Sequence, residues 1–274
     1  KDSARYCTMP PSIKTEGMIL ANTIIRKDAS QLNDAEVAAL RDAYGKMMGI
    51  KDNRGWLYWS GLHGFPQYKC WHHNREGFHQ EVPYNLFLPW HRAYLLSFEH
   101  AVRDQNADAS LPWWDWTTQT GLPDVYVEDT DNGNPLQAGP VPPMDGDPDR
   151  MTERSPGPPS RLPRASRIAQ ILDLPNFEDL TMQIENVHDG VHGWVGGDMG
   201  VVASSAYDPI FFAHHAMIDR VWYLWQLRQG VNNIPPDYLD RTLEPFGLRV
   251  RDVLDVNNLG YTYATASVTV GVGN

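Results

Sequence analysis

From Asp208 to Gln226 the chain runs Asp-Pro-Ile-Phe-Phe-Ala-His-His-Ala-Met-Ile-Asp-Arg-Val-Trp-Tyr-Leu-Trp-Gln, and this stretch limits the fold more than any other. Pro209 suits a first helical turn, and no further Pro or Gly occurs before Gly230. The expectation is a helix of about five turns. Phe211, His215 and Asp219 are four apart and share one face. Two adjacent histidines in so apolar a helix are either buried, hydrogen-bonded side chains or ligands. A second pair upstream favours ligands: His188 and His192 are also four apart and point the same way. Two imidazoles from one helix and one from a facing helix make a three-nitrogen metal site of the kind built in bundle cores.

The rest of the chain supplies the surrounding helices and a second histidine cluster. Ile24 to Arg26 reads as a short extended piece. Asn33 fits an N-cap with Glu36 completing a capping box, and Val37, Leu40, Tyr44 and Met47 repeat at helical spacing, so residues 34 to 49 form a helix. That apolar stripe is core packing. A second helix covers Gly55 to Leu62 and leads to His63, and Phe87-Leu88-Pro89-Trp90-His91-Arg92 opens a third. Between them lie His72, His73 and His79. The Trp-rich run Trp113-Trp114-Asp115-Trp116 is a buried turn bracing the bundle. Ten of the 21 prolines fall between Pro123 and Pro163, so residues 118 to 166 read as a long surface loop ordered by packing. It is no linker between domains, because histidines that must converge lie on both sides. Helical spacing returns over Ser166 to Leu172 and Phe177 to Trp194, which Gly196-Gly197 ends. The last residues, 264 to 274, carry no charge and read as a frayed tail.

At the histidines a resemblance emerges. Asp208-Pro209-x-Phe211-Phe212-x-His214-His215-x-x-x-Asp219-Arg220-x-Trp222 resembles the second copper motif of the type 3 copper proteins, which comprise tyrosinases, catechol oxidases (polyphenol oxidases) and molluscan hemocyanins. Phe87-Leu88-Pro89-Trp90-His91-Arg92-x-Tyr94-Leu95-x-x-Phe98-Glu99 is similar to the first copper motif. His63-Gly64-x-Pro66 followed by Cys70-x-His72 resembles the variant in which a cysteine is joined to the second ligand by a thioether. The resemblance implies a mainly α fold: a central four-helix bundle around a dinuclear copper site, with long irregular loops and little β structure. It implies His63, His72 and His91 for the first copper and His188, His192 and His215 for the second. One departure is plain. His91 follows His72 by 91 − 72 = 19 positions, more than the family usually has, so either a loop is inserted after His72 or His79 is the second ligand. His73, His100 and His214 are expected to be structural.

The resemblance extends to further positions. Glu185, one turn before His188, resembles a glutamate that holds an ordered water near the second copper; a solvated helix face is the alternative. Asp189 and Gly193, each directly after a ligand, match positions that tune activity, and Val202 matches the position that a bulky aromatic covers in some relatives. Asp219, four residues after His215, either orients groups around the ligand helix or pairs with a neighbour such as Arg220 or Arg92. Tyr261-x-Tyr263 resembles the tyrosine motif closing the family's catalytic domain, and the chain reads as one catalytic domain, residues 1 to 274, without the covering domain many members carry.

Function follows from what the coppers do. Each Cu(I) supplies one electron, and two metals about 3.5–4 Å apart can hold O2 between them. Neutral imidazoles suit copper in both oxidation states. The first expectation is an enzyme that uses O2 to oxidise o-diphenols to o-quinones and hydroxylates monophenols. The alternative is a hemocyanin-like O2-binding protein; such carriers normally have the covering domain, so a single short chain favours the enzyme. A dinuclear zinc hydrolase is weaker, because neither carboxylate ligands nor His-Glu-x-x-His is evident. The net charge, 23 − 34 = −11, argues against nucleic acid and anionic membrane partners, leaving small phenols and O2. No apolar run approaches a membrane span. The opening residues lack a signal-peptide core, which leaves secreted and cytoplasmic locations both open. Cys7 and Cys70 allow at most one disulfide.

Overall fold

The computed structural model describes residues 23–64, 85–131, 133–143 and 149–264. His72, His73, His79 and Cys70, with the thioether and the choice between His72 and His79, lie outside the described residues, as does most of the expected tail.

In chain order the elements are strand β1 (Ile24–Arg26), helices α1 (Asp34–Gly49), α2 (Trp56–Gly61) and α3 (Phe87–Gln105), strands β2 (Pro140–Val141) and β3 (Arg150–Met151), helices α4 (Ala165–Leu172), α5 (Phe177–Val195) and α6 (Ile210–Gln229), and strands β4 (Thr242–Leu243), β5 (Leu248–Arg249) and β6 (Tyr261–Tyr263). The fold is mainly α, with short two-stranded ladders as its only sheets among the described residues. The helix limits follow local chemistry. Asn33 and Glu36 form the expected capping box, each accepting the other's backbone N–H at 3.0 Å. Asn176 caps α5 by accepting from the Asp179 N–H at 2.8 Å. Gly196 ends α5 at φ +63°, where a Cβ would also run into Ser155.

The central helix is α6. Every residue from Ile210 to Trp222 is buried, so it is apolar on all sides, as befits the core of a bundle. Helices α3 and α4 pack on it, and α3 also meets α1 and α5. The tryptophan turn is buried as expected, with Trp113, Trp114 and Trp116 all within the core. The Pro-rich segment is irregular, but it does more than cross the surface. Tyr126 and Leu136 are fully buried in it, and Arg154 reaches inward to pair with Asp208 through two nitrogens, at 2.7 and 2.5 Å. A bidentate pair of this kind pins the loop to the residue that opens α6.

The two ends of the described chain meet beside α6. β1 pairs with β6 in parallel, Ile24 opposite Tyr261 and Arg26 opposite Tyr263. Arg26 is fully buried and donates to Glu99 at 2.8 Å and to Asp219 at 3.3 Å. Asp219 also accepts from Arg92 at 2.5 Å, Tyr261 at 2.7 Å and Tyr263 at 2.5 Å. Burial opposes its ionisation, but Arg92 and Arg26 outweigh that and hold its pKa below the usual carboxylate value. Of the two partners expected for Asp219, the structure provides Arg92; Arg220 instead lies over the Trp113 ring, 4.8 Å from its centre.

Candidate metal centre

Four elements direct histidines into one space. His63 follows α2, His91 lies on the second turn of α3, His188 and His192 lie on α5, and His215 lies on α6. The His91 and His215 rings stack with centres 4.2 Å apart, and His63 stands 5.5 Å from His91 and 6.1 Å from His215. Phe211 and Phe87 wall the space, 4.1 Å from His215 and 4.7 Å from His91 respectively.

The tautomers are set by acceptors behind the rings. Nδ1 of His192 faces the Met199 carbonyl at 2.7 Å, Nδ1 of His91 the Phe87 carbonyl at 2.9 Å, and Nδ1 of His188 a carboxylate oxygen of Asp189 at 3.0 Å. A carbonyl or carboxylate only accepts, so each Nδ1 carries the proton and each Nε2 carries a lone pair. Nε2 of His188 and Nε2 of His192 then converge on Nε2 of His215, at 3.1 and 3.3 Å. One proton cannot satisfy both contacts. Three imidazole nitrogens meeting at one point, with the outer nitrogens of His188 and His192 held by acceptors, match the way metal-binding histidines are oriented. Nδ1 of His215 is buried without a protein partner among the described residues, so no acceptor sets that ring's tautomer.

Electrostatics favour the neutral, ligating form. Burial lowers the His63 pKa to about 3, with repulsion from His192 adding to it, and loss of solvent lowers that of His192 to about 4. Burial also drives His91 and His215 well below the usual histidine value. The donor set is all imidazole, which suits copper. No carboxylate joins the four histidines, His188, His192, His214 and His215, that could share a metal among the described residues.

His214 is the member of that group that faces the wrong way. The Trp116 indole N–H donates to its Nδ1 at 3.2 Å, and its ring stacks on His188 at 5.1 Å and 10°. It therefore packs against the His188 ring from the side of the tryptophan turn. His100 sits on the exposed side of α3.

The other singled-out positions fall around α5. Glu185 is half-buried and accepts from the Asn85 side-chain amide at 2.7 Å, while Asn85 also accepts from the Phe87 N–H at 2.9 Å. Asn85 thus ties the start of α3 to the turn before His188. Asp189 is mostly exposed and contacts His188. Gly193 is exposed, and a Cβ there would meet nothing within 4 Å. Val202 is 60% exposed, and the Val202 backbone hydrogen-bonds the His63 ring. Sequence reasoning missed Asn85, Trp116 and the Met199 carbonyl. Trp116 had a signal in its tryptophan-rich turn; a backbone carbonyl has none.

Comparison with known proteins shows the family and the fold. The profile of the common central domain of tyrosinase matches residues 53–147 and 139–228, well over half the chain. Over 230 residues, 78% of the chain, the sequence is 32% identical to hemocyanin units G and H of Sepia officinalis. The chain spans 39% of that protein's length, well under two thirds. Among solved structures, a functional unit of octopus hemocyanin superposes with a TM-score of 0.73 at 29% identity, covering 88% of this chain and 68% of that one. A tyrosinase from Burkholderia thailandensis superposes with a TM-score of 0.71 at 19% identity over 90% of this chain and 74% of that one, a likeness of fold.

Proposed function

The chain belongs to the type 3 copper family that shares the common central domain of tyrosinase, and from that membership we propose that it binds O2 reversibly at a pair of copper ions. When bound, two copper ions would supply the two electrons that holding O2 requires. The proposed ligands are His63, His72 and His91 for one ion and His188, His192 and His215 for the other. The observation that carries the reading is the meeting of the Nε2 atoms of His188 and His192 with Nε2 of His215, at 3.1 and 3.3 Å, the first two with tautomers set from behind. The identity to hemocyanin units favours O2 binding over turnover, the reverse of the order that the short chain suggested.

In this reading the protein's groups do three things. Met199, Phe87 and Asp189 hold the protons of His192, His91 and His188 on the outer nitrogens. The bundle keeps His91, His188, His192 and His215 on helices, which limits reorganisation on oxygenation. Burial keeps His63, His91, His192 and His215 neutral.

Oxidation of o-diphenols, with hydroxylation of monophenols, is the second reading. What supports it is an approach that the described residues leave open: Val202 is a small, exposed side chain and Gly193 has open space beside its Cα. Glu185, Asp189, Gly193 and Val202 are the residues proposed to act on a phenol there, Glu185 through an ordered water. One experiment separates the readings. The copper-loaded protein is oxygenated and deoxygenated while its near-ultraviolet absorption is followed, then oxygen uptake is measured with catechol and no activator. A reversible band without sustained uptake supports the O2 binder. Steady uptake supports the oxidase, and absence of both defeats the dicopper centre.

A further inference from the structure

The structure carries a second candidate site on the outer side of α5. An open-sided cleft of about 470 Å3 is lined by Ser155, Gly157, Arg161, Gly190, Gly193 and Trp194. That volume falls within the range of about 300–1,000 Å3 usual for small-molecule sites. At roughly 100° per residue, Gly190 and Trp194 point away from the side of the helix that carries His188 and His192, and Gly193 lies between the two sides. The body of the cleft is therefore on the other side of α5 from the histidine centre, with Gly193 at its edge.

Its lining has a definite chemistry. Arg161 is the one charged residue of the six, it is exposed, and its side chain makes no hydrogen bond or ion pair with any described residue. The Ser155 hydroxyl oxygen accepts from the Gly197 N–H at 3.1 Å, which leaves its own hydrogen for an acceptor. Guanidinium and hydroxyl together present hydrogens to an anion, and a carboxylate matches the guanidinium fork. The floor is flat for a reason that packing does not supply. Gly190 and Gly193 sit inside a helix, where glycine is a poor choice, yet a Cβ at either would meet nothing within 4 Å. What their side chains would fill is the cleft. The wall is Trp194, fixed by its N–H bond to the Pro158 carbonyl at 2.9 Å and packed close against Gly157, where a Cβ would come within 3.1 Å of the indole.

We propose that this cleft binds a small planar aromatic carboxylate, its ring on the Gly190–Gly193 floor against Trp194 and its carboxylate on Arg161 and Ser155. The site does not depend on what the dinuclear centre does. It is tested with 2-naphthoate by isothermal titration of the copper-loaded protein. The expected result is one site per chain, with neutral 2-naphthamide at least tenfold weaker. Arg161→Gln, a change at an exposed and unpaired side chain, should weaken 2-naphthoate about tenfold, and Gly190→Leu should abolish binding by filling the floor. Both variants should keep the metal content and thermal stability of the parent. Equal affinity of the Arg161→Gln variant for 2-naphthoate would place the anion elsewhere, the coppers included, and overturn the proposal. So would equal binding of the amide, or no binding at millimolar concentration.

Discussion

The Trp116 indole N–H donates to Nδ1 of His214 across 3.2 Å, and this bond sets the tautomer of the first of two adjacent histidines. An Nδ1 that accepts leaves the ring proton on Nε2. His214 therefore has no lone pair to offer on that side, while His215, one residue on, meets the Nε2 atoms of His188 and His192.

His215→Ala is expected to lower the copper content from two ions per chain to one, measured by metal analysis of the purified protein, and to eliminate the oxygenation band. His214→Asn should keep two. Loss of copper from the His214 variant alone would reverse the assignment. Trp116→Phe should leave copper content unchanged and cost about 1–3 kcal/mol in denaturant unfolding, because Nδ1 of His214 stays buried without a donor.

Asp219→Ala removes the carboxylate shared by Arg26, Arg92, Tyr261 and Tyr263. Breaking a buried pair by deleting one partner costs about 3–5 kcal/mol, as the cations left behind lose their counter-charge. Glu99 still faces Arg26, so the larger penalty falls on Arg92. Urea unfolding of the metal-free protein should show the loss, and a change below about 1 kcal/mol would mean that the network is not a source of stability.

Acid should destabilise the metal-free protein before its carboxylates titrate. His63 and His192 have folded pKa values of about 3 and about 4, below the unfolded value of about 6.5. The unfolded chain therefore binds more protons. The contribution of these histidines is complete above pH 6.5, is eroded as the pH falls, and is gone below their folded values. Each contributes a slope of up to about 1.4 kcal/mol per pH unit in that window. Unfolding free energies at pH 7, 6 and 5 should decline, and His63→Gln with His192→Gln should flatten the decline.

Val202→Phe tests the approach to the coppers. Val202 is 60% exposed, so the change should alter stability by no more than about 0.5 kcal/mol. Oxygen affinity, read from the absorption band, should not move, because O2 is small. Any oxygen uptake driven by a bulky phenol should fall more than uptake driven by catechol. An equal loss with both would show that Val202 does not border the route.

Much of this was legible in the chain because its strongest signals are local. The capping box at Asn33 and Glu36, the four-residue spacing of His188 and His192, and the glycine end of α5 each follow from neighbours in sequence, and each is where it was expected. What was not legible joins distant positions. Nothing near Arg26 announces Glu99 or Asp219, which are 73 and 193 residues away. Asn85 reaches Glu185 across 100 residues. The Pro-rich segment was read from composition, which says that a stretch is irregular and is silent on whether an irregular stretch sends Tyr126 and Leu136 into the core. The cleft beneath Arg161 exists only once that segment is laid on α5.

The parallel pairing of β1 with β6 also sets an order of assembly. Tyr261 and Tyr263 emerge from the ribosome more than 30 residues after the end of α6, and until they do Asp219 lacks two of its hydrogen-bond donors and Arg26 lacks its strand partner. A nascent chain holding all the ligand histidines still has an unlocked ligand helix. Contacts so far apart in sequence form late and slowly. Metal loading is thus expected to follow emergence of Tyr263: arrested chains ending before Tyr261 should exchange copper freely, and those extended far enough past Tyr263 to expose it should retain it.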